Sequence, residues 1–174
     1  TDSVGAYAQA GVSDVASAVA AAREASRPWA ASTPQQRYDV LDFVGSEILA
    51  RKEELGRLLS REEGKTLPEG IAEVARAGYI FKFFAGETLR VGGEHLRSVR
   101  PGIEIDILRE PLGVVGLICP WNFPSAIPAW KTAPALAFGN TVVLKPAELV
   151  PGSAWAMAEI ISRSGLPRGA FNLL

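Results

Sequence analysis

Three short apolar runs, Val114–Ile118, Thr141–Leu144 and Phe171–Leu174, follow one another with room for a single helix between each pair. That rhythm limits the possible folds more than any other feature of the chain. Uninterrupted apolar runs belong to strands buried on both faces, as in a parallel sheet covered by helices. Pro120 closes the first run, because a residue without an N–H cannot extend a central ladder. A helical stretch from about Pro124 to Phe138 stops at Gly139-Asn140. A second begins at Pro151, carries Trp155, Ala158 and Ile161, and stops at Gly165 and Pro167. The pattern is βαβαβ, one mononucleotide-binding half of a doubly wound α/β sheet. In such sheets the carboxyl ends of the strands line the ligand crevice. Asn122 after the first strand, and Lys145 and Glu148 after the second, are therefore expected to face one site.

The first ninety or so residues read as a helical layer. Ser13 is a plausible cap for a helix whose Val15, Val19, Ala22 and Trp29 share a stripe. Thr33-Pro34-Gln35-Gln36 combines a capping box with Pro in the first turn and opens a second helix. Tyr38, Leu41, Val44 and Ile48 line one face of it, and the same pattern extends through Leu55, Leu58 and Leu59 toward Gly64. A second box, Thr66 to Glu69, precedes a third helix with Ile71, Val74, Ala75, Gly78 and Ala85, ending near Gly86. The lone His95 is expected in a surface turn without a chemical role. From Arg97 to Arg109 the period changes to two: Ile103, Ile105 and Ile107 alternate with other residues after Pro101-Gly102, as in a β-hairpin. Such a hairpin either packs on its own helices or offers an edge to a partner. The expected division is residues 1–96 helical layer, 97–110 hairpin, and 111–174 the first half of a dinucleotide-binding unit.

Composition narrows the function classes. With 174 residues, one domain is the natural expectation. Eighteen basic and nineteen acidic residues leave a net charge of −1 without a basic block, which disfavours nucleic acid and anionic membranes as partners. One Cys with one His forms neither an internal disulfide nor a common zinc site, so no metal and a cytoplasmic setting are expected. Pro111 to Trp130 carries no charge, but its prolines and the central Asn122 argue against a membrane span. No leader-like segment opens the chain, and the missing initiator Met suggests a piece of a longer protein.

The stretch CPWNFP followed by AWKTAPALAFGNTVVLKPAE resembles the aldehyde dehydrogenase superfamily. So do SREEGKTLPEGIAEV, REPLGVVG and SGLPRGAFNLL, so the resemblance covers most of the chain. IFKFFAGETLR and VPGSAWAMAEIISRSGLP are most similar to semialdehyde dehydrogenases that oxidise α-ketoglutarate semialdehyde (2,5-dioxovalerate).

The usual G-x-G-x-x-G fingerprint is missing, so pattern alone does not point to a coenzyme. The resemblance does. It implies NAD, with NADP as the other option, lying along Ile118, Cys119, Pro120, Trp121 and Asn122 after the first strand and Lys145, Pro146, Ala147 and Glu148 after the second. Glu148 would accept from a ribose hydroxyl, and a 2′-phosphate beside it would meet like charge. Asn122, which on pattern alone could simply cap a turn, matches the family's oxyanion-stabilising Asn. Phe123, Ile127 and Trp130, at i, i+4 and i+7, read as core by spacing, and by resemblance line the aldehyde channel. Lys131 matches a residue sometimes assigned to proton relay.

Aldehyde oxidation needs a thiolate nucleophile and a base, and the resemblance puts both beyond Leu174. Cys119 then reads as an inert small hydrophobe whose backbone faces the coenzyme. The expected whole is a homo-oligomeric, NAD(P)-dependent enzyme acting on an aldehyde, of which this chain is the amino-terminal portion, inactive alone. The rival readings are a non-catalytic dinucleotide-binding or oligomerisation module, and an unrelated α/β reductase.

Overall fold

The computed structural model describes residues 3–174. Its elements are α1 (Val12–Ala30), α2 (Pro34–Ala50), α3 (Lys52–Glu63), α4 (Leu67–Thr88), β1 (Glu94–Arg97), β2 (Glu104–Ile107), β3 (Val114–Ile118), α5 (Ala126–Ala137), β4 (Thr141–Lys145), α6 (Pro151–Ser162) and β5 (Phe171–Leu173). The fold is α/β. Strands β3, β4 and β5 form a parallel sheet in that order, and β1 and β2 form a separate antiparallel pair.

Both crossovers step the same way along the sheet, so the right-handed rule puts α5 and α6 on one face. Helices α2, α3 and α4 pack outside them, while α1 lies against all three strands. Thr141 donates its hydroxyl to Ala22 of α1 (3.0 Å), and the neighbouring Val142 and Leu144 point into the main core. Only β4 is buried on both faces. β3 is an edge strand, and its Ile118 is 75% exposed, so the continuous burial expected of the apolar runs holds for the central strand alone.

The helical layer is stitched by close backbone approach. A Cβ on Gly45 of α2 would stand 2.9 Å from the Gly78 carbonyl of α4, so small residues are what let these helices touch. At Thr33 both halves of the capping box form: Gln36 N–H donates to the Thr33 hydroxyl (3.2 Å) and Thr33 N–H to Gln36 Oε1 (2.9 Å).

Several local expectations change. The cap of α1 is Gly11, whose N–H is taken by Asp14 Oδ2 (2.8 Å), and Ser13 lies inside the helix. The long second helix is two, broken at Arg51 (φ −104°, ψ 14°), whose side chain binds Glu54 and, across the fold, Glu159 of α6. Gly64, at φ 91°, ends α3 as a left-handed cap.

The hairpin begins at Glu94, three residues before the period change. His95 is therefore a strand residue, 2.7 Å from Asp106 of the paired strand, and not part of a turn. Every residue of β1 and β2 is exposed, which rules out a hairpin packed on its own helices. Among the described residues, no helix is long and apolar enough to cross a membrane.

Candidate active site

The parallel sheet brings the expected residues to one edge. Ile118, the last residue of β3, is in register with Lys145, the last of β4, and Cys119 N–H continues the ladder to the Lys145 carbonyl (3.1 Å). The turn from β3 to α5 and the turn from β4 to α6 therefore leave the sheet side by side at its carboxyl edge. Asn122, Lys145 and Glu148 are all exposed there. Lys145 donates to Glu148 Oε2 (2.8 Å), and this hydrogen bond, more than any other influence, holds the Glu148 carboxyl below its ordinary range. Pro146 and Ala147 between them are buried, which fixes the turn.

These residues share a rim, not a closed pocket. A cavity of about 600 Å³ lies by the ends of β4 and β5, walled by Pro146, Tyr7, Trp155 and Asn172, and neither Lys145 nor Glu148 lines it.

Around β3 the groups are more tightly engaged. Lys131 of α5 donates to the Ile118 carbonyl (2.6 Å), tying helix to strand end. Cys119 is buried, and desolvation raises its thiol pKa against the opposing pull of Lys131. A buried, protonated thiol is a poor nucleophile. Its N–H is spent on the ladder, so only its carbonyl remains to meet a ligand.

Helix α5 starts at Ala126, later than the sequence suggests. Phe123 precedes the helix, although its carbonyl still accepts from Ile127 N–H (3.0 Å) and keeps the spacing helical. Phe123 and Trp130 are each more than two-fifths exposed, so the reading of this face as core does not hold; only Ile127 packs against the core. Trp130 borders a groove of about 710 Å³ with Tyr79, Phe83 and Arg76 of α4, and the Arg76 guanidinium lies 5.8 Å from the Trp130 ring centroid.

The chain matches the model of the aldehyde dehydrogenase family over residues 1–174. It belongs to that family. It is 43% identical over 171 residues to the α-ketoglutarate semialdehyde dehydrogenase of Haloferax volcanii, covering 98% of this chain and 36% of that protein. With the α-ketoglutaric semialdehyde dehydrogenase of Bacillus subtilis it shares 42% identity over 173 residues, covering 99% of this chain and 36% of the relative. The crystal structure of an NAD-dependent aldehyde dehydrogenase from Sinorhizobium meliloti superposes with a TM-score of 0.92 at 36% identity, over 95% of this chain and 34% of that one. The chain thus spans about a third of the length of these family members.

Two carboxylates that the sequence reading passed over organise this aldehyde dehydrogenase edge. Glu73 of α4 is 5% exposed, and its Oε1 accepts from the N–H groups of Ser125 (2.9 Å) and Ala126 (3.1 Å), at the start of α5. Glu62 of α3 does the same for α6, taking Gly152 N–H (2.6 Å), Ser153 N–H (2.8 Å) and the Ser153 hydroxyl (2.8 Å). Both helix N-termini, where a dinucleotide fold ordinarily seats phosphate, are filled by the protein's own anions. A phosphate at either would meet a carboxylate, so the missing glycine fingerprint has a structural counterpart.

Lys65 is the third residue missed. Its ammonium bonds Glu73, lies 2.9 Å from Glu63, donates to the Asn122 carbonyl (3.3 Å) and sits 4.6 Å from the Phe123 ring centroid. Burial lowers its pKa, but the two carboxylates outweigh that and hold it above lysine's ordinary value. Both Lys65 and Glu73 lie within SREEGKTLPEGIAEV, which marks the family without naming their partners.

Proposed function

We propose that this chain supplies the oxyanion-binding turn and the coenzyme ribose contacts of an NAD-dependent enzyme that oxidises a semialdehyde, of the α-ketoglutarate semialdehyde class, to its carboxylate. The observation that carries the reading is the Asn122 turn: an exposed amide at the carboxyl end of β3, on a turn anchored through Lys65 and Glu73. An amide N–H held in place before reaction stabilises charge on a carbonyl oxygen as it develops, with no reorganisation at that moment.

Bound NAD would accept the hydride. Lys145 and Glu148 fit its ribose, Lys145 as donor and Glu148 as an ionised acceptor, and the Glu148 charge disfavours a 2′-phosphate. Phe123 and Trp130 form the apolar wall toward the aldehyde. Arg76, the charged residue of the neighbouring groove, suits the carboxylate at the far end of a semialdehyde. The exposed hairpin with Ile103, Ile105 and Ile107 is an edge for joining subunits. The nucleophile and base belong to a part of the enzyme outside these residues, so the 174-residue chain alone should form no NADH from an aldehyde.

In the complete enzyme, Asn122→Ala should lower kcat roughly 100- to 1000-fold with NAD affinity unchanged. A loss below about threefold would remove the oxyanion assignment, since a donor in that role is worth far more. A preference in kcat/KM for α-ketoglutarate semialdehyde over an uncharged aldehyde of similar length tests the substrate class.

A further inference from the structure

Capping α5 requires only the Glu73 carboxylate, yet the structure adds a lysine. Lys65 stands between two fixed points, the left-handed Gly64 that ends α3 and Thr66, whose N–H and hydroxyl bind Glu69 Oε2 at 3.1 and 2.6 Å as α4 begins. Its backbone is set before its side chain reaches the turn. From there one ammonium binds Glu73, Glu63 and the Asn122 carbonyl, and lies over the face of Phe123. Two of the ammonium's three donors go to Glu73 and the Asn122 carbonyl, and Glu63 Oε2 stands 2.9 Å away as a second charge without a hydrogen bond. The Asn122 carbonyl belongs to the peptide joining Asn122 to Phe123, so holding it fixes the plane from which the Asn122 side chain projects. Glu73 fixes the next peptides through Ser125 and Ala126. The turn is clamped at both ends by one ion pair from the helical layer.

We propose that Lys65 and Glu73 are positioning residues: the pair orients the Asn122 turn so that its amide meets the substrate oxygen without reorganisation. The inference rests on the assignment of Asn122 as the oxyanion donor. Catalytic geometry is unforgiving at this scale, since misplacement by about 1 Å costs on the order of 100-fold in rate. Lys65 is engaged by Glu73 and the Asn122 carbonyl within the protein, so its loss should leave binding intact and slow the chemical step.

The test compares Lys65→Met, Asn122→Ala and the double variant in the complete enzyme, measuring kcat, KM for aldehyde and Kd for NAD. Lys65→Met should lower kcat about 10- to 100-fold, with NAD Kd unchanged, and Lys65→Arg should recover most of it. The double variant should be no slower than Asn122→Ala alone, because residues acting through one group are not additive. Should Lys65→Met not fold, Glu73→Gln takes its place: it still accepts both N–H groups but gives up the charge pair. A normal kcat for the variant used, beside a crippled Asn122→Ala, would overturn the positioning role and leave the oxyanion assignment standing. Fully multiplicative losses in the double variant would overturn it too. If Asn122→Ala is itself nearly silent, the oxyanion assignment fails, and the positioning role fails with it.

Discussion

The turns after β3 and β4 are built alike and used differently. Each runs from a strand end to a helix whose first N–H groups are taken by a glutamate from the helical layer, Glu73 for α5 and Glu62 for α6. The difference is what lies behind the glutamate. Glu73 is buried and carries Lys65, which reaches forward to Asn122. Glu62 is half-buried, and among the described residues no cation pairs with it. Its neighbour is the Tyr7 hydroxyl, whose pKa is raised by burial first and by Glu62 second. One cap closes a helix; the other also holds a turn in place. The ion pair of the second turn, Lys145 with Glu148, lies in front of the helix, out in solvent, where it can exchange partners with a ligand.

Removing the caps should give the largest contrast. Glu73→Ala strands a partly buried ammonium as well as two N–H groups, and should cost roughly 3–5 kcal/mol, read from the shift in denaturant midpoint. Glu62→Ala loses only hydrogen bonds at a helix end and should cost about 1–2 kcal/mol by the same measurement. Equal losses would mean the two turns are held alike.

Function separates them next. Glu148→Ser in the complete enzyme should shift the NADP-to-NAD ratio of kcat/KM upward by about tenfold, since a like charge near the 2′ position is gone. Glu62→Ala should leave that ratio where it was. An unchanged ratio in Glu148→Ser would place the ribose elsewhere.

The smallest effect is a pH dependence. Lys65 has a raised pKa in the fold, so the stability it contributes is complete below lysine's ordinary 10.5 and is lost as pH climbs through the higher folded value. Tyr7, also raised, loses its share in the same direction, starting from 10.0. Stability should therefore fall at alkaline pH. Lys65→Met should remove the β3-side part of that fall and Tyr7→Phe the β4-side part, as measured by thermal unfolding between pH 9 and about 11.5.

Some of this is written locally in the chain. The apolar runs at Val114, Thr141 and Phe171, the stops at Gly64 and Gly139, and the Thr33 capping box need only near neighbours, so pattern places them. The strand order follows from crossover length and handedness, which puts Asn122, Lys145 and Glu148 on one edge. What pattern could not supply depends on partners far along the chain. Arg51, where the second helix breaks, meets Glu159 across 108 residues. Phe123 and Trp130 have apolar spacing, yet packing leaves them exposed.

Glu73 looks in sequence like one more helical charge. Its two N–H donors lie 52 and 53 residues downstream, and Lys65 meets Asn122 across 57. A charge on a helix is soluble surface until another element covers it, and no periodicity records which helix end will arrive there. The sequence by itself determined the strands, the crossovers and the edge where polar groups collect; only the tertiary structure decided which charges are buried against that edge, because burial depends on packing between segments that local pattern does not see.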